Sequence, residues 1–145
     1  MSERLVLVTG ATGYVGTVLV PLLAQKYRVR CFDTQHFGNS IAETPNVEFH
    51  VGDIRNRPDC WRALVGVTDV IHLAGIVTDD QADLNRHMTF EVNVLATQGL
   101  LNMAQISGVS RFLYASSSSV YGTTLQNATE DMQPAPMTFY AETKL

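Results

Sequence analysis

The 145-residue sequence predicts an α/β fold, with one parallel sheet that carries helices on both faces. Three observations support this prediction. Short apolar segments, of the length of buried strands, alternate with segments of helical periodicity along the chain. A glycine-rich turn joins the first apolar segment to the first helix. The composition, 46% hydrophobic and 17% charged with a net charge of −4, is typical of a globular domain.

The first strand is expected at Leu5–Val8, and the helix after it has apolar residues at helical spacing (Val15, Val18, Leu19, Leu22 and Leu23). Pro21 lies inside that helix and should bend it or loosen a turn. Further strands are expected at 28–32, 47–51, 67–73 and 111–116, and further helices at 58–65 and 85–107. Pro58 is typical of a first helical turn and Gly108 of a helix end. Residues 140–145 resemble the opening turns of a last helix.

Right-handed crossovers between these strands give the order 3-2-1-4-5 in a doubly wound sheet. We find no internal repeat and no linker, so residues 1–145 are interpreted as one domain.

Several classes of protein are disfavoured. The acidic balance without a basic stripe argues against a nucleic-acid partner, and no apolar stretch is long enough to span a bilayer. Residues 1–4 run directly into the first strand, which leaves no room for a signal peptide. Cys31 and Cys60 lack metal or redox spacing and are expected to be small buried hydrophobes in a reducing cytoplasm. The histidines at 36, 50 and 87 show no ligand spacing, so no metal is predicted.

The glycine turn is the most informative local feature. Residues 9–16 read Thr-Gly-Ala-Thr-Gly-Tyr-Val-Gly, with Gly10, Gly13 and Gly16 in the spacing G-x-x-G-x-x-G. Gly10 permits a tight turn after the strand, Gly13 leaves room for a pyrophosphate, and Gly16 allows close packing of the helix. The helix N-terminus then presents amide N–H groups to the phosphates. A strand before the turn and a helix after it predict the dinucleotide-binding end of a Rossmann-type fold.

Asp33 ends the second strand, 17 residues after Gly16. A carboxylate at this place can accept hydrogen bonds from the adenosine ribose hydroxyls and would repel a 2′-phosphate. It therefore favours NAD over NADP. The alternative interpretation is a solvated aspartate at the end of a strand.

Tyr140 and Lys144 form a Y-x-x-x-K pair, and residues four apart lie on one face of a helix. A nearby ammonium group stabilises the phenolate and lowers the tyrosine pKa, which makes the tyrosine a usable acid/base. Such a pair alone is common by chance, so its weight comes from the segments that precede it.

These segments together resemble the extended branch of the short-chain dehydrogenase/reductase superfamily, the NAD-dependent sugar-nucleotide epimerases and dehydratases. The matching elements extend over the whole chain: Thr9–Gly16, Asp33, Gly52–Ile54, His72–Gly75, Asn93–Val94, Ser116–Gly122 and Tyr140–Lys144. Each is short, but their order and spacing are specific.

The resemblance implies an NAD site. Its contacts would come from Gly10, Gly13, Tyr14, Val15, Gly16, Asp33, Asp53, Ile54, Leu73, Ala74, Gly75, Asn93, Tyr140 and Lys144. Asp53 and Ile54 would flank the adenine, and residues 73–75 would lie along the phosphates and ribose. Asn93 would lie inside the long helix close to the cofactor; the alternative is an asparagine that caps a loop. His72 would be structural rather than catalytic.

The resemblance also implies three catalytic residues. Tyr140 would exchange a proton with a substrate hydroxyl or carbonyl, and Lys144 would hold the nicotinamide ribose and lower the pKa of Tyr140. Ser117, three residues before Val-Tyr-Gly, would hydrogen-bond the reacting oxygen. Because residues 116–119 are all serine, Ser118 is the second choice, and a merely polar loop is the plain alternative.

Three function classes stay open. The first is an NAD-dependent nucleotide-sugar epimerase, which is favoured over a dehydratase because Ser117 is not followed by the Asp-Glu pair of the dehydratases. The second is a ketoreductase or 3β-hydroxysteroid-type dehydrogenase on the same scaffold. The third is a nucleotide-binding module without turnover.

The resemblance implies a downstream half, absent from this sequence, that would supply the last strands and the substrate pocket. We therefore expect the 145-residue chain alone to lack turnover. Relatives pair across a dimer through the helix at 85–107. Met88, Leu95 and Met103 are expected on its outer face, which suggests a homodimer of the full-length protein.

Overall fold

A computed structural model describes residues 4–36, 38–39, 41, 44–124 and 127–145. Within these residues the chain forms five strands: β1 (Leu5–Thr9), β2 (Arg28–Asp33), β3 (Val47–Val51), β4 (Asp69–His72) and β5 (Arg111–Tyr114). The helices are α1 (Tyr14–Ala24), α2 (Arg57–Leu64), α3 (Asp79–Leu84), α4 (Arg86–Phe90), α5 (Thr97–Ile106) and α6 (Phe139–Thr143). A π-helical segment (Glu91–Ala96) joins α4 to α5, and a 3₁₀ helix covers Ser118–Tyr121.

The strands form one parallel sheet in the order β3-β2-β1-β4-β5, which confirms the predicted α/β fold and strand order. In register, Val8 of β1 lies opposite Cys31 of β2 on one side and Ile71 of β4 on the other. The order reverses between β1 and β4. In sheets of this kind ligands bind beyond the carboxyl ends of the strands at that reversal.

The predicted element bounds hold to within a few residues, except around the long helix. The continuous helix expected at 85–107 is divided into α4, the π-helical segment and α5. It is preceded by α3, which the sequence did not predict. Asn85 separates α3 from α4 because its backbone is not helical (φ −151°, ψ 84°) and its side chain accepts the Met88 N–H. Gly108 ends α5 with φ +77°, as its position predicted.

The described residues divide into two compact units. The first extends to Ala74 and resumes over Ala96–Ala115, and it contains the whole sheet with α1, α2 and α5. The second consists of Gly75–Leu95 and Ser116–Leu145. The boundary at residue 75 falls between predicted cofactor residues, so the single-domain interpretation of residues 1–145 stays a prediction.

The core of the first unit lies between α1 and the sheet and includes Val6, Val8, Val20, Val29 and Cys31. Helix α1 runs without interruption through Pro21 and buries its small residues Gly16, Val20 and Ala24. Val15, Val18 and Leu22, which are part of the apolar spacing that predicted the helix, are more than half exposed. Val20 and Ala24 pack into this core, so they bring the α1 backbone close to the sheet.

Two further expectations can be compared with the packing. Cys31 and Cys60 are both fully buried and unpaired with each other, and burial raises their pKa values to about 12 and about 11. Met103 was expected on an outer helix face, but this is wrong: its side chain is buried, whereas Met88 and Leu95 are exposed. Among the described residues, no helix has the length and apolarity that crossing a bilayer requires.

Candidate cofactor site and catalytic residues

Gly10 makes the turn that leads out of β1. Its φ of +66° favours glycine, and its N–H donates to the Phe32 carbonyl at 3.0 Å, which anchors the turn to β2. A Cβ at this position would lie 2.6 Å from the Ala74 nitrogen. The turn therefore lies directly against the segment that follows β4, and only glycine allows this contact.

Gly13 and Gly16 differ sharply in their surroundings. A Cβ on Gly16 would lie 2.2 Å from the Ala11 carbonyl oxygen, so Gly16 permits close packing of α1 on the turn itself rather than on the sheet. Gly13 is exposed, and a Cβ there would meet only the Gly10 oxygen, at 3.2 Å. Gly13 is the N-cap of α1, and Tyr14 and Val15 after it are exposed. The first N–H groups of a helix lack intrahelical acceptors, so this open end can receive an anion.

Asp33 is the last residue of β2 and is partly buried at the same edge of the sheet. Its Oδ2 accepts the Thr12 N–H at 3.0 Å, and its Oδ1 accepts the Gln35 N–H at 2.8 Å. The carboxylate keeps lone pairs for further donors, because each oxygen can accept two hydrogen bonds. Asp33 therefore lies beside the glycine turn, where ribose hydroxyls could reach it.

Asp53 and Ile54 follow β3. Arg55 donates hydrogen bonds to the Asp53 carboxylate. Its Nε is 3.1 Å from Oδ1 and 3.0 Å from Oδ2, and its Nη2 is 2.5 Å from Oδ2. These hydrogen bonds hold the pKa of Asp53 below its ordinary value, so Asp53 is an acceptor at neutral pH. The Ile54 side chain is buried, and its carbonyl accepts the Cys60 thiol at 3.1 Å. Any contact of Ile54 with a ligand would therefore use its backbone.

Leu73 and Ala74 follow β4, and a hydrogen-bonded chain that the sequence did not predict holds them in place. The Ala74 N–H donates to Thr9 Oγ1 at 3.2 Å, and Thr9 Oγ1 is 2.6 Å from His72 Nδ1. His72 Nε2 is 2.8 Å from Thr97 Oγ1 on α5. Thr9 and His72 are fully buried, and a neutral ring protonated on Nε2 satisfies these three contacts. His72 therefore has the structural position expected of it. The sequence analysis did not identify Thr9, although a threonine at the end of a buried strand indicates a side chain that needs a hydrogen-bond partner.

In the second unit, Asn93 lies in the π-helical segment and is buried. Its Oδ1 accepts the Ile76 N–H at 2.8 Å, and its Nδ2 donates to the Ile76 carbonyl at 2.9 Å and to Thr143 Oγ1 at 3.0 Å. A Cβ on Gly75 would lie 3.0 Å from Asn93 Oδ1. The amide thus joins the segment after Gly75 to helix α6, and the expected contact of Asn93 with the cofactor stays a prediction.

Helix α6 carries the Tyr-Lys pair. Thr138 caps it by accepting the Ala141 N–H, and the Thr143 hydroxyl donates to the Tyr140 carbonyl at 2.8 Å. Lys144 immediately follows the helix, one turn after Tyr140, and is 5% exposed. Its burial lowers the Lys144 pKa from 10.5 to about 8. At neutral pH the ammonium form still dominates.

The serine run lies next to the end of this helix, because the Ser116 hydroxyl donates to the Lys144 carbonyl at 2.7 Å. Ser117 is partly buried and caps the 3₁₀ helix, with its Oγ 2.7 Å from Ser119 Oγ. Ser118 is exposed. The 3₁₀ helix was not predicted; it gives Ser117 a fixed hydrogen-bonding environment that an irregular polar loop would lack.

The predicted residues thus separate into two groups. The first unit brings together the glycine turn (Gly10 to Gly16), Asp33, Asp53, Ile54, Leu73 and Ala74 at the carboxyl edge of its strands. An open helix N-terminus beside a strand-end carboxylate fits the pyrophosphate and adenosine parts of a dinucleotide. The second unit holds Gly75, Asn93, Ser117, Tyr140 and Lys144. Among the described residues, no three His, Cys, Asp or Glu side chains group as a metal would need.

Residues 6–145 match the family described as the NAD dependent epimerase/dehydratase family. The chain belongs to this family. The match extends over almost the whole chain, which confirms the resemblance drawn from the short motifs and makes NAD the cofactor of the family to which this glycine turn belongs.

Known members illustrate its range. The chain is 35% identical over 144 residues to sterol-4-alpha-carboxylate 3-dehydrogenase, decarboxylating, from Homo sapiens, covering 95% of this chain and 36% of that protein. It is 35% identical over 150 residues to 3-beta-hydroxysteroid dehydrogenase from Mycolicibacterium neoaurum, covering 97% and 40%. The crystal structure of UDP-glucose 4-epimerase from Thermus thermophilus in complex with NAD has a TM-score of 0.88 and 29% identity, covering 97% of this chain and 47% of that one. The chain thus spans less than half the length of each of these proteins.

Proposed function

We propose that this chain is the NAD-binding part of an enzyme that oxidises a secondary alcohol, or reduces the matching ketone, with Tyr140 as the acid/base. One observation carries the proposal: Tyr140 and the buried Lys144 lie one helical turn apart, and the end of that helix is hydrogen-bonded to the serine run through Ser116. Family membership gives this arrangement its chemical meaning.

The roles follow from charge and hydrogen bonding. Lys144 lies one helical turn after Tyr140 and supplies the positive charge of the Tyr-Lys motif, because its ammonium form dominates below its pKa of about 8. Tyr140 takes the proton from the substrate hydroxyl during oxidation and returns it during reduction. Ser117 donates a hydrogen bond to the reacting oxygen, with Ser118 as the less favoured candidate because it lies exposed outside the cap.

The cofactor part of the proposal rests on the first unit. NAD, when bound, accepts a hydride from the substrate carbon or gives it back. Gly13 and the first N–H groups of α1 would receive its pyrophosphate, and Asp33 the adenosine ribose. A carboxylate at Asp33 disfavours a 2′-phosphate, so NAD is preferred to NADP.

Two substrate classes are supported by different observations. The epimerase of Thermus thermophilus, whose fold this chain shares, favours a nucleotide sugar. Among enzymes that act on nucleotide sugars, the absence of the dehydratase Asp-Glu pair after Ser117 favours an epimerase. The two relatives at 35% identity are sterol and steroid dehydrogenases and favour a steroid-like alcohol. The family resemblance implies that downstream residues supply the substrate pocket, so neither similarity covers it. We keep the nucleotide-sugar epimerase as the proposal and the 3β-hydroxysteroid-type dehydrogenase or ketoreductase as the second candidate.

Cofactor turnover separates these candidates. A full-length epimerase regenerates NAD in each cycle, so it should purify with bound NAD and interconvert UDP-sugar epimers without added nucleotide. A dehydrogenase should consume added NAD in proportion to steroid oxidised. Strict stoichiometric consumption of NAD would therefore reject the epimerase proposal.

Replacing Tyr140 tests the shared chemistry. In the full-length protein, Tyr140→Phe removes only the hydroxyl, and turnover should fall by about 10²–10⁴ while NAD affinity changes little. Tyr27→Phe, which alters a tyrosine packed against the core of the first unit, serves as the matched control. Undiminished turnover by Tyr140→Phe would leave a nucleotide-binding module without this mechanism as the better account.

We also propose that the full-length protein is a homodimer that pairs through the exposed apolar residues Met88 and Leu95. Light scattering on the full-length protein should give twice the monomer mass, and Leu95→Glu should shift it to the monomer. A monomeric wild type would reject this proposal.

A further inference from the structure

The Asp33 carboxylate accepts two hydrogen bonds from backbone N–H groups of the chain itself. Its Oδ1 accepts the N–H of Gln35, two residues on, at 2.8 Å, which forms a local turn after β2. Its Oδ2 accepts the N–H of Thr12, 21 residues earlier in the chain, at 3.0 Å. The second bond joins the end of one strand to the glycine turn that follows its neighbour.

Thr12 lies in the part of the turn that a dinucleotide must approach. On one side of it, Gly10 is fixed by the bond from its N–H to the Phe32 carbonyl, and Gly13 closes the turn by donating to the Gly10 carbonyl at 3.1 Å. The Asp33 carboxylate supplies the acceptor for the N–H between them. A hydrogen bond to a carboxylate is stronger than one between neutral groups, so this bond limits the conformations of the turn.

We propose that Asp33 is a positioning residue for the glycine turn, so that it governs pyrophosphate binding as well as the ribose contact. This inference rests on the proposed NAD site and extends it. Replacing Asp33 would then not simply exchange NAD for NADP, because it would also release Thr12. A change of preference toward NADP would need a second acceptor for the Thr12 N–H.

Two substitutions separate the two hydrogen bonds of Asp33. Asp33→Asn keeps the size of the side chain, and its single amide oxygen should accept from Gln35, since asparagine forms the same local turn; its NH₂ group then faces the Thr12 N–H. Asp33→Ser can still form the local turn with Gln35 but is too short to reach Thr12. Both variants should therefore keep the end of β2 and lose the bond to the turn.

The ligand pair ADP and 2′,3′-dideoxy-ADP tests the inference by calorimetric titration, because the second compound keeps the diphosphate and lacks the ribose hydroxyls. We expect Asp33→Asn and Asp33→Ser to weaken 2′,3′-dideoxy-ADP binding about tenfold relative to wild type. The exposed Asp80→Asn, with the same change in charge, should have no effect. If the variants bind the dideoxy compound as wild type does and lose affinity only for ADP, Asp33 acts through the ribose alone and the inference is overturned.

A measurement without nucleotide keeps the inference separate from the proposed function. Amide hydrogen exchange at Thr12 in the free chain should be about tenfold faster in both Asp33 variants than in wild type and in Asp80→Asn. Unchanged exchange at Thr12 would overturn the positioning role, even if the chain binds nucleotide. Failure of the wild type to bind ADP or NAD would instead reject the proposed cofactor site, and the exchange rates would still decide the role of Asp33.

Discussion

The buried chain from Ala74 through Thr9 and His72 to Thr97 makes a quantitative prediction for Thr9→Val. The substitution keeps the shape of the side chain and removes the hydroxyl that accepts from Ala74 and contacts His72 Nδ1. The fully buried His72 ring then loses a partner, and so does the N–H of the partly buried Ala74. Since an unsatisfied buried polar group costs about 1–3 kcal/mol, Thr9→Val should lower the free energy of unfolding by about 2–5 kcal/mol.

Thr97→Val removes only the contact at His72 Nε2, so it should cost about 1–3 kcal/mol. The two losses should not add, because a ring that has lost one partner can turn or change tautomer. We expect a coupling energy of at least about 0.5 kcal/mol in the double-mutant cycle. Thr17→Val, which loses a solvent-exposed bond to the Tyr14 carbonyl, is the control and should stay within about 0.5 kcal/mol of wild type.

Urea unfolding followed by circular dichroism measures all four variants, and the slope with denaturant should stay constant so that midpoints can be compared. If the free energy of unfolding of Thr9→Val lies within about 0.5 kcal/mol of that of wild type, the Ala74 and His72 groups find other partners. The stabilising role of the Thr9 hydroxyl would then be wrong. Strict additivity of Thr9→Val and Thr97→Val would refute the coupling through the ring.

Three other substitutions give independent tests. Gly16→Ala should lower the free energy of unfolding by more than about 2 kcal/mol, because its Cβ would lie 2.2 Å from a carbonyl oxygen. Gly99→Ala is the control: its Cβ would enter open space in α5, so the substitution should raise the free energy of unfolding by about 0.5–1 kcal/mol. Equal urea midpoints for the two variants would contradict this prediction. Asn93→Ala should cost about 3 kcal/mol in urea unfolding, since both backbone groups of Ile76 lose their partner; a loss below about 0.5 kcal/mol would contradict the positioning role. The pKa of Lys144 is about 8 in the folded protein and 10.5 in the unfolded chain. Between these pH values the folded protein therefore binds fewer protons than the unfolded chain. The free energy of unfolding of wild type should rise over this range by up to about 3 kcal/mol relative to that of Lys144→Met. A stability difference between these two proteins that does not change from pH 7 to 10.5 would contradict the burial of the ammonium group.

The sequence predicted the sheet well because its signals are local. The alternation of apolar strands with helices defines the strand order, and crossover handedness leaves few other topologies. The Gly10 turn was predictable for the same reason, since a glycine directly after a buried strand indicates a left-handed backbone conformation, whereas its close approach to Ala74 was not predictable.

Features that depend on distant contacts were not predictable. Periodicity gave one helix at 85–107, yet the π-helical segment places Asn93 where its amide meets both Ile76 and Thr143, and Thr143 is 50 residues away in sequence. Met103 was expected on the outer face of one continuous helix, but it is buried, and the π-helical segment separates it from Met88. Hydrogen bonds between residues so far apart in sequence produce no periodic pattern in the sequence.

The same limit applied at the predicted site. Asp33 was identified from its place at a strand end, but its bond to Thr12 depends on the distance between two loops. The partnership of Asp53 with Arg55 was also overlooked, although a two-residue spacing made it readable. The roles of Ser117, Tyr140 and Lys144 stay predictions that rest on their motif and its family.

Titration of NAD into this chain and into its Gly13→Asp variant tests whether a dinucleotide binds over the glycine turn. An aspartate is a favourable N-cap, and its Cβ would meet only the Gly10 oxygen, at 3.2 Å, so the free energy of unfolding of the variant should be within about 1 kcal/mol of wild type. Its carboxylate occupies the place of the pyrophosphate and repels it. We expect wild type to bind NAD and Gly13→Asp to bind it at least about 100-fold more weakly. Equal NAD affinity for the two folded proteins, or no binding by wild type, would contradict this expectation.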